Sequence, residues 1–251
     1  MHLIVFALVF ALLQAGANLA PTGTLRATFI ANNPVQGRVD SAGGTSGPGP
    51  DLARELARRL GVPVAISPLP NAGAVLESVT SGKADIGFLA YEAARAGQVD
   101  FSDPYLLSGS AYAVRADSNI RNSADVDQAG ITVGAVTGQS PEVWVREHLK
   151  SARLNALPAV PENAVLAAML LDGRVQAFAA NRARMEELAR DFPTIRVLAD
   201  NFFVVSQAIV VAKGRRAELE AVNRFLAEAR ASGFVKASID RANLPGVEVA
   251  K

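Results

Sequence analysis

Cysteine is absent from these 251 residues, and histidine occurs only at His2 and His148. These gaps exclude thiol catalysis, disulfides, cysteine-ligated zinc, a lipid-modified N-terminal cysteine and any multi-histidine metal site. No metal or other cofactor is expected. Charge of one sign is lacking too: 25 basic and 24 acidic residues are interspersed and leave a formal charge of +1. That balance provides no patch for nucleic acid or an anionic membrane. Aromatics are few, with one tryptophan, three tyrosines and eleven phenylalanines. Long apolar runs are lacking except at 3–13, which is too short to span a bilayer. Ala15-Gly16-Ala17 follows it as a small-x-small cleavage pattern. Residues 1–17 therefore read as a signal peptide cut after Ala17, since Pro21 disfavours a cut after Ala20. The run has no lysine or arginine before it, and an uncleaved anchor or a displaced start codon are the alternatives. Cleavage makes the mature chain an exported, soluble protein.

Beyond the leader the chain alternates between strand-like and helix-like segments. Residues 24–30 read as a strand, the Gly-, Ser- and Pro-rich stretch 37–50 as a loop, and 51–61 as a helix. Asp51 is placed to cap that helix, Leu52, Leu56 and Leu60 recur on one face, and Gly61 stops it. Strands at 62–69 and 84–90 flank a helix at 74–81. A second series follows: strands at 130–136, 157–160 and 175–180 alternate with helices at 141–150, 162–171 and 184–190. Short strands at 196–198 and 208–212 precede an amphipathic helix at 217–232, with Leu219, Val222, Phe225 and Leu226 in one stripe. This order implies open sheets with helices on both faces, whose ligands bind beyond the carboxyl ends of the strands. Asn32, Asn71, Ala90 and Arg95 each follow a strand or open a loop, so the rule gathers them at one end.

The most informative stretch is RAGQVDFSDPY, Arg95–Tyr105. An arginine precedes a short strand at 99–101, Ser102-Asp103-Pro104 turns the chain, and a second strand runs over 105–114. Upstream, Gly82 ends a helix and 84–90 is a buried strand. A guanidinium on a loop beside such a strand end can fork onto a carboxylate.

Together these segments resemble the amino-acid-type periplasmic solute-binding proteins of ABC transporters, family 3. The resemblance covers nearly the whole mature chain. It includes the helix at 51–61, Ser81–Asp85, Arg95, 99–105, the strand and turn Val133-Gly134-Ala135-Val136-Thr137-Gly138-Gln139-Ser140, and Gly173-Arg174-Val175-Gln176-Ala177. It implies an α/β, two-lobed periplasmic-binding-protein fold of type II, each lobe a sheet flanked by helices, with two hinge crossovers near 105–109 and 203–207. The implied division is lobe I at 18–109, lobe II at 110–202, and a return at 203–251 that completes lobe I. The implied protein is a periplasmic monomer that closes on a small carboxylate ligand and hands it to an ABC permease.

The resemblance carries Arg95 over as the carboxylate clamp, with Gln139 and Ser140 where amides at a helix start meet the ligand. Departures bear on the ligand. Asn32 and Asn71 stand where the family commonly stacks aromatic rings. Asn181, followed by Arg182, stands where an acidic residue usually binds the ligand ammonium. The loop from Ala90 to Arg95 is about two residues short, so neither Tyr91 nor Glu92 matches the family's threonine singly. A carboxylate clamp without an ammonium clamp favours an organic acid that need not be an α-amino acid.

Structural readings stand beside these. Asn32 and Asn71 also suit turns next to Pro34 and Pro70, and Gln139 and Ser140 also suit the cap of the helix that Pro141 opens. Trp144 and His148, four residues apart, cover the second lobe. Two other functions share the scaffold. One is an enzyme like the cyclohexadienyl dehydratases, with Glu92 or Glu142 as its acid. The other is a sensor whose loaded form is read by a membrane receptor. A Ser-His-Asp triad has no support, since His148 is the mature chain's one histidine and lies on a helix.

Overall fold

The computed structural model describes residues 18–31 and 33–251. The leader at 1–17 and Asn32 lie outside the described residues. No helix among the described residues is long and apolar enough to cross a membrane.

The chain opens with β1 (Leu25–Ile30), and a small hairpin of β2 (Arg38–Val39) and β3 (Thr45–Ser46) leads into α1 (Pro48–Leu60). Then come β4 (Val64–Leu69), α2 (Ala72–Thr80), β5 (Ile86–Ala90), the single turn α3 (Ala93–Ala96) and β6 (Val99–Phe101). The ten-residue β7 (Leu106–Arg115) leads to β8 (Thr132–Val136), α4 (Ser140–His148), β9 (Arg153–Leu157), α5 (Asn163–Leu171), β10 (Ala177–Asn181), α6 (Arg182–Asp191) and β11 (Ile195–Val197). A second ten-residue strand, β12 (Phe203–Ala212), precedes α7 (Arg216–Ala231), α8 (Phe234–Arg241) and β13 (Val247–Val249).

Two parallel triplets carry the architecture. One is β4-β1-β5 and the other β10-β8-β9. The long strands join them: β12 runs antiparallel to β5, β7 antiparallel to β10, and the two pair with each other from Phe203 opposite Ser110 to Gln207 opposite Leu106. The period-2 alternation of the strands distributes side chains to two faces. In β1, Leu25, Ala27 and Phe29 enter one core with Leu52, Leu56, Val222 and Phe225, whereas Ile30 enters a second with Val75, Val79 and Leu89. In β10, Phe178 and Ala180 point to one side of the other triplet, and Ala177 and Ala179 to the opposite side. Gly134 on β8 is a glycine for close packing: a Cβ there would lie 2.5 Å from Phe178 Cδ2. Each triplet is thus covered on both faces, as parallel strands require. The C-terminal α7 contributes Val222, Phe225 and Leu226 to the core of the first triplet.

Several elements differ from the sequence reading. Helix α1 begins at Pro48, three residues ahead of Asp51, because proline is tolerated in a helix's first turn. Asp51 therefore does not cap it. Its Oδ2 accepts from Ser238 Oγ at 2.5 Å and from Arg241 at 2.7 Å, tying α1 to α8. Within the expected loop, Asp40 Oδ1 accepts from the amides of Ala42 and Gly44 and closes the β2–β3 hairpin. Strand β9 lies at Arg153–Leu157, not 157–160, since Pro158 cannot donate to a ladder. The strand expected at 175–180 occupies Ala177–Asn181. The turn α3, helix α8 and strand β13 had no counterpart in the sequence reading.

Candidate functional site

The carboxyl ends of both triplets face one another across a buried polar cavity of about 20 Å³. From the first triplet come Ile30, Asn33 and Gln36 after β1, Ala72 at the start of α2, and Ala90 and Arg95 after β5. From the second come Gln139, Ser140 and Pro141 at the start of α4, and Asn181 at the end of β10. The joining strands add Ser108, Val205 and Gln207.

Arg95 is the charged group of this lining, and it is 9% exposed. It sits on α3, where the Arg95 amide donates to Glu92 O. Its Nη1 donates to Ala90 O at 2.8 Å, and its Nη2 reaches across to Gly138 O. Burial lowers the pKa of the guanidinium from the ordinary arginine value, and the charge of Glu92 counters part of that. Among the described residues no carboxylate forms an ion pair with Arg95. Two peptide carbonyls offer dipoles to a desolvated cation where a carboxylate would offer a charge.

Two hydroxyls share the cavity. Ser108 Oγ and Ser140 Oγ are buried, and among the described residues neither has a hydrogen-bond partner. Leaving a buried donor unmade costs on the order of 1–3 kcal/mol, so such groups mark places where another partner belongs. Ser140 opens α4, whose preceding residue Gln139 makes no side-chain cap bond. Gln139 and Ser140 thus leave the helix start uncapped and lie on the cavity.

Carboxamides complete the lining in two connected pairs. Gln36 Oε1 accepts from the Ile30 amide at 2.9 Å, and Gln36 Nε2 donates to Gln207 Oε1 at 3.2 Å. Asn181 Oδ1 accepts from the Arg184 amide at 3.2 Å and so caps α6, while Asn181 Nδ2 donates to Asn33 Oδ1 at 2.9 Å. The second pair links the two triplets directly.

Of the residues expected from sequence, Ala90, Arg95, Gln139, Ser140 and Asn181 are brought together here. Asn32 lies outside the described residues. Asn71 turns away to cap α2, its Oδ1 accepting from the Ala74 amide at 2.9 Å. Tyr91 is 52% exposed and packs edge-on against Phe101, outside the lining. Arg182 also lies outside it. Its Nε donates to Asn201 Oδ1, its Nη2 to the carbonyls of Leu198, Ala199 and Asp200, and its Nη1 pairs with Glu186. It holds a loop and adds no repulsion to the cleft. Asn33, Gln36, Ser108 and Gln207 were not singled out from sequence. For Ser108 and Gln207 a signal was available, a polar residue inside the buried runs at 106–115 and 203–212, whereas Asn33 and Gln36 lie in the turn after β1 and carried none.

No acidic side chain is among the described lining residues. Glu142 is buried, but its Oε2 accepts from the Gly138 amide at 3.0 Å and its Oε1 pairs with Arg146. Glu142 braces the turn before α4, and neither it nor Glu92 reaches the cavity lining. Trp144 and His148 stack on α4 with centroids 4.1 Å apart, and Trp144 packs against Phe202 on the second lobe. A wider depression of about 470 Å³ lies elsewhere on that lobe, where Arg115 and Asp117 pair with each other in solvent.

Two sheet-and-helix lobes meeting across a buried polar cavity are the architecture of a cleft-type small-molecule binding protein. The chain belongs to the bacterial extracellular solute-binding proteins, family 3, whose profile it matches over residues 25–242. It is 27% identical over 191 residues to the L-cystine-binding protein TcyJ of Escherichia coli K12, covering 74% of this chain and 70% of that protein. The crystal structure of the amino acid ABC transporter substrate-binding protein AbpA from Streptococcus pneumoniae, bound to L-arginine, superposes with a TM-score of 0.76 at 26% identity. That match covers 88% of this chain and 94% of AbpA. The ancestral amino-acid-binding protein AncCDT-1, a precursor of cyclohexadienyl dehydratase, has a TM-score of 0.76 at 24% identity, covers 87% and 94% of the two chains, and shares the fold. The chain is thus a solute-binding protein of the amino-acid ABC transporter type.

Proposed function

We propose that this protein captures a small carboxylate-bearing solute in the cavity around Arg95 and delivers it, as a periplasmic monomer, to the permease of an ABC importer. The observation that carries the reading is the buried Arg95 guanidinium facing peptide carbonyls at the junction of the two lobes. A solute carboxylate takes the place of Gly138 O on Nη2 and turns a dipole contact into a charge pair. Ser108, Ser140 and the uncapped start of α4 supply further donors to the same ligand. The lobes divide at 18–109, 110–202 and 203–251, and the leader at 1–17 is removed after Ala17. N-terminal sequencing of the exported protein should begin at Asn18.

TcyJ and AbpA are named for, or bound to, amino acids, and a carboxylate is the part of such ligands that would pair with Arg95 once the lobes part. An ammonium is different. Buried without an anionic partner it loses its Coulombic compensation, and neutral amides replace only part of it. The solute is therefore an organic acid without a free α-amine. Calorimetry with Arg95→Ala tests the clamp. Truncating one partner of a buried, hydrogen-bonded ion pair costs about 3–5 kcal/mol. That predicts a loss of affinity of roughly a hundred- to a few thousand-fold. A loss below tenfold would remove Arg95 from the site.

A further inference from the structure

The four cavity amides are not free to choose which end they show a ligand. Each pair begins at a backbone amide, which can only donate, and each passes that polarity on. The Ile30 amide takes Gln36 Oε1, so Gln36 must donate from Nε2, and Gln207 must receive it on Oε1. The end of Gln207 left to carry the relay onward is its Nε2, a donor. The Arg184 amide likewise takes Asn181 Oδ1, Asn181 donates from Nδ2 to Asn33 Oδ1, and the end left on Asn33 is Nδ2, again a donor. Both Gln207 and Asn33 line the cavity, as do Arg95 and the two unpartnered hydroxyls of Ser108 and Ser140. Gln139 belongs to neither relay.

Resting on the carboxylate reading above, we infer that the two amide relays form a second acceptor-binding subsite, which makes the preferred solute a small dicarboxylate, or an acid with an equivalent second acceptor group. Arg95 neutralises one carboxylate. The second finds N–H donors whose direction is set by helix α6 and by the end of β1. The start of α4 turns the positive end of a helix dipole toward the same anion, an attraction it does not offer an ammonium. An ammonium in the same place meets donors on both relay ends and finds no anionic partner among the described lining residues, only hydroxyl and carbonyl oxygens. Selectivity of this kind is strong because a mismatched ligand leaves buried polar groups unpaired.

Isothermal titration of the purified protein with matched three-, four- and five-carbon sets tests this: malonate, succinate and glutarate; propionate, butyrate and valerate; alanine, 2-aminobutyrate and norvaline. At the best chain length the dicarboxylate should bind at least tenfold tighter than the monocarboxylate, with the amino acid weakest. Gln207→Met keeps the volume but removes the donor. Gln36→Glu keeps a partner for the Ile30 amide, yet its second oxygen can only accept, so Gln207 must reverse and show its oxygen. Each substitution should lower the ratio of dicarboxylate to monocarboxylate affinity at least tenfold. Misfolding would weaken both ligands and leave their ratio intact. A monocarboxylate that matches the dicarboxylate, an amino acid that beats both, or a ratio unmoved in variants that keep the wild-type monocarboxylate affinity would overturn the subsite and leave the Arg95 clamp standing. Absence of binding from all three sets would overturn both.

Discussion

At the residue scale, the proposed ligand class turns on the atoms of Asn181. Its oxygen is committed to the Arg184 amide and its nitrogen to Asn33, so it turns no acceptor toward a ligand ammonium. Asn181→Asp replaces that nitrogen with an anionic oxygen while keeping the helix cap, since aspartate caps as well as asparagine. The variant should bind a zwitterionic amino acid at least tenfold tighter than wild type and the deaminated acid more weakly, in competition calorimetry between 2-aminobutyrate and butyrate. An unchanged ranking would mean that position 181 does not govern the amine. Arg95 was legible in the sequence because it stands between a buried strand and the SDP turn. Arg182 was not, because adjacency to Asn181 says nothing of the direction the chain takes where a strand passes into a helix. Here the strand-to-helix junction falls between the two, with Asn181 ending β10 toward the cleft and Arg182 opening α6 toward the 198–201 loop. The turn after β1 set a similar limit. The structure puts Asn33 in the cavity, one residue from the Asn32 singled out by adjacency to the strand.

At the scale of elements, α1 illustrates local charge acting on stability. The Glu55 carboxylate accepts from Arg58 at 2.8 Å through both oxygens and from Arg59 Nε at 2.8 Å. These bonds, Arg58 foremost, pull its pKa from 4.5 to about 2. A lowered folded-state pKa stabilises the fold above the unfolded value and loses that contribution as the pH falls toward 2. The Arg58 partner is largely exposed, so the contribution is about 1 kcal/mol or less. Urea denaturation of wild type and Glu55→Gln should show a gap at pH 7 that narrows below pH 4.5 and closes near pH 2. A gap constant with pH would assign the effect to packing. Most strands and helices of the two triplets were legible, because apolar periodicity is strongest where both faces are buried. Edge elements were not. β9 is half-exposed, and β13 is held by pairing to β7, a contact distant in sequence. Asp51 read as a cap because local rules cannot see α8 arriving from nearly two hundred residues away.

At the scale of the molecule, the cavity size implies motion. About 20 Å³ holds about one water, so a solute enters only when the lobes part. Among the described residues, polar contacts that bridge them in this geometry include Arg95 to Gly138 O, Asn181 to Asn33, and an ion pair between Arg38 on β2 and Glu187 on α6. The first two pass through cavity residues that a ligand would engage under the proposed function. Among the described residues the sheet passes from one triplet to the other through the β7–β12 pair, where the chain crosses twice. The proposed function therefore couples closure around a carboxylate to Arg95, and small-angle X-ray scattering reads it directly. With the tightest-binding acid of the panel at saturation, the radius of gyration of wild type should fall, and that of Arg95→Ala at the same ligand concentration should stay at its unliganded value. A wild-type radius indifferent to a bound ligand, or equal compaction of the variant, would contradict the account.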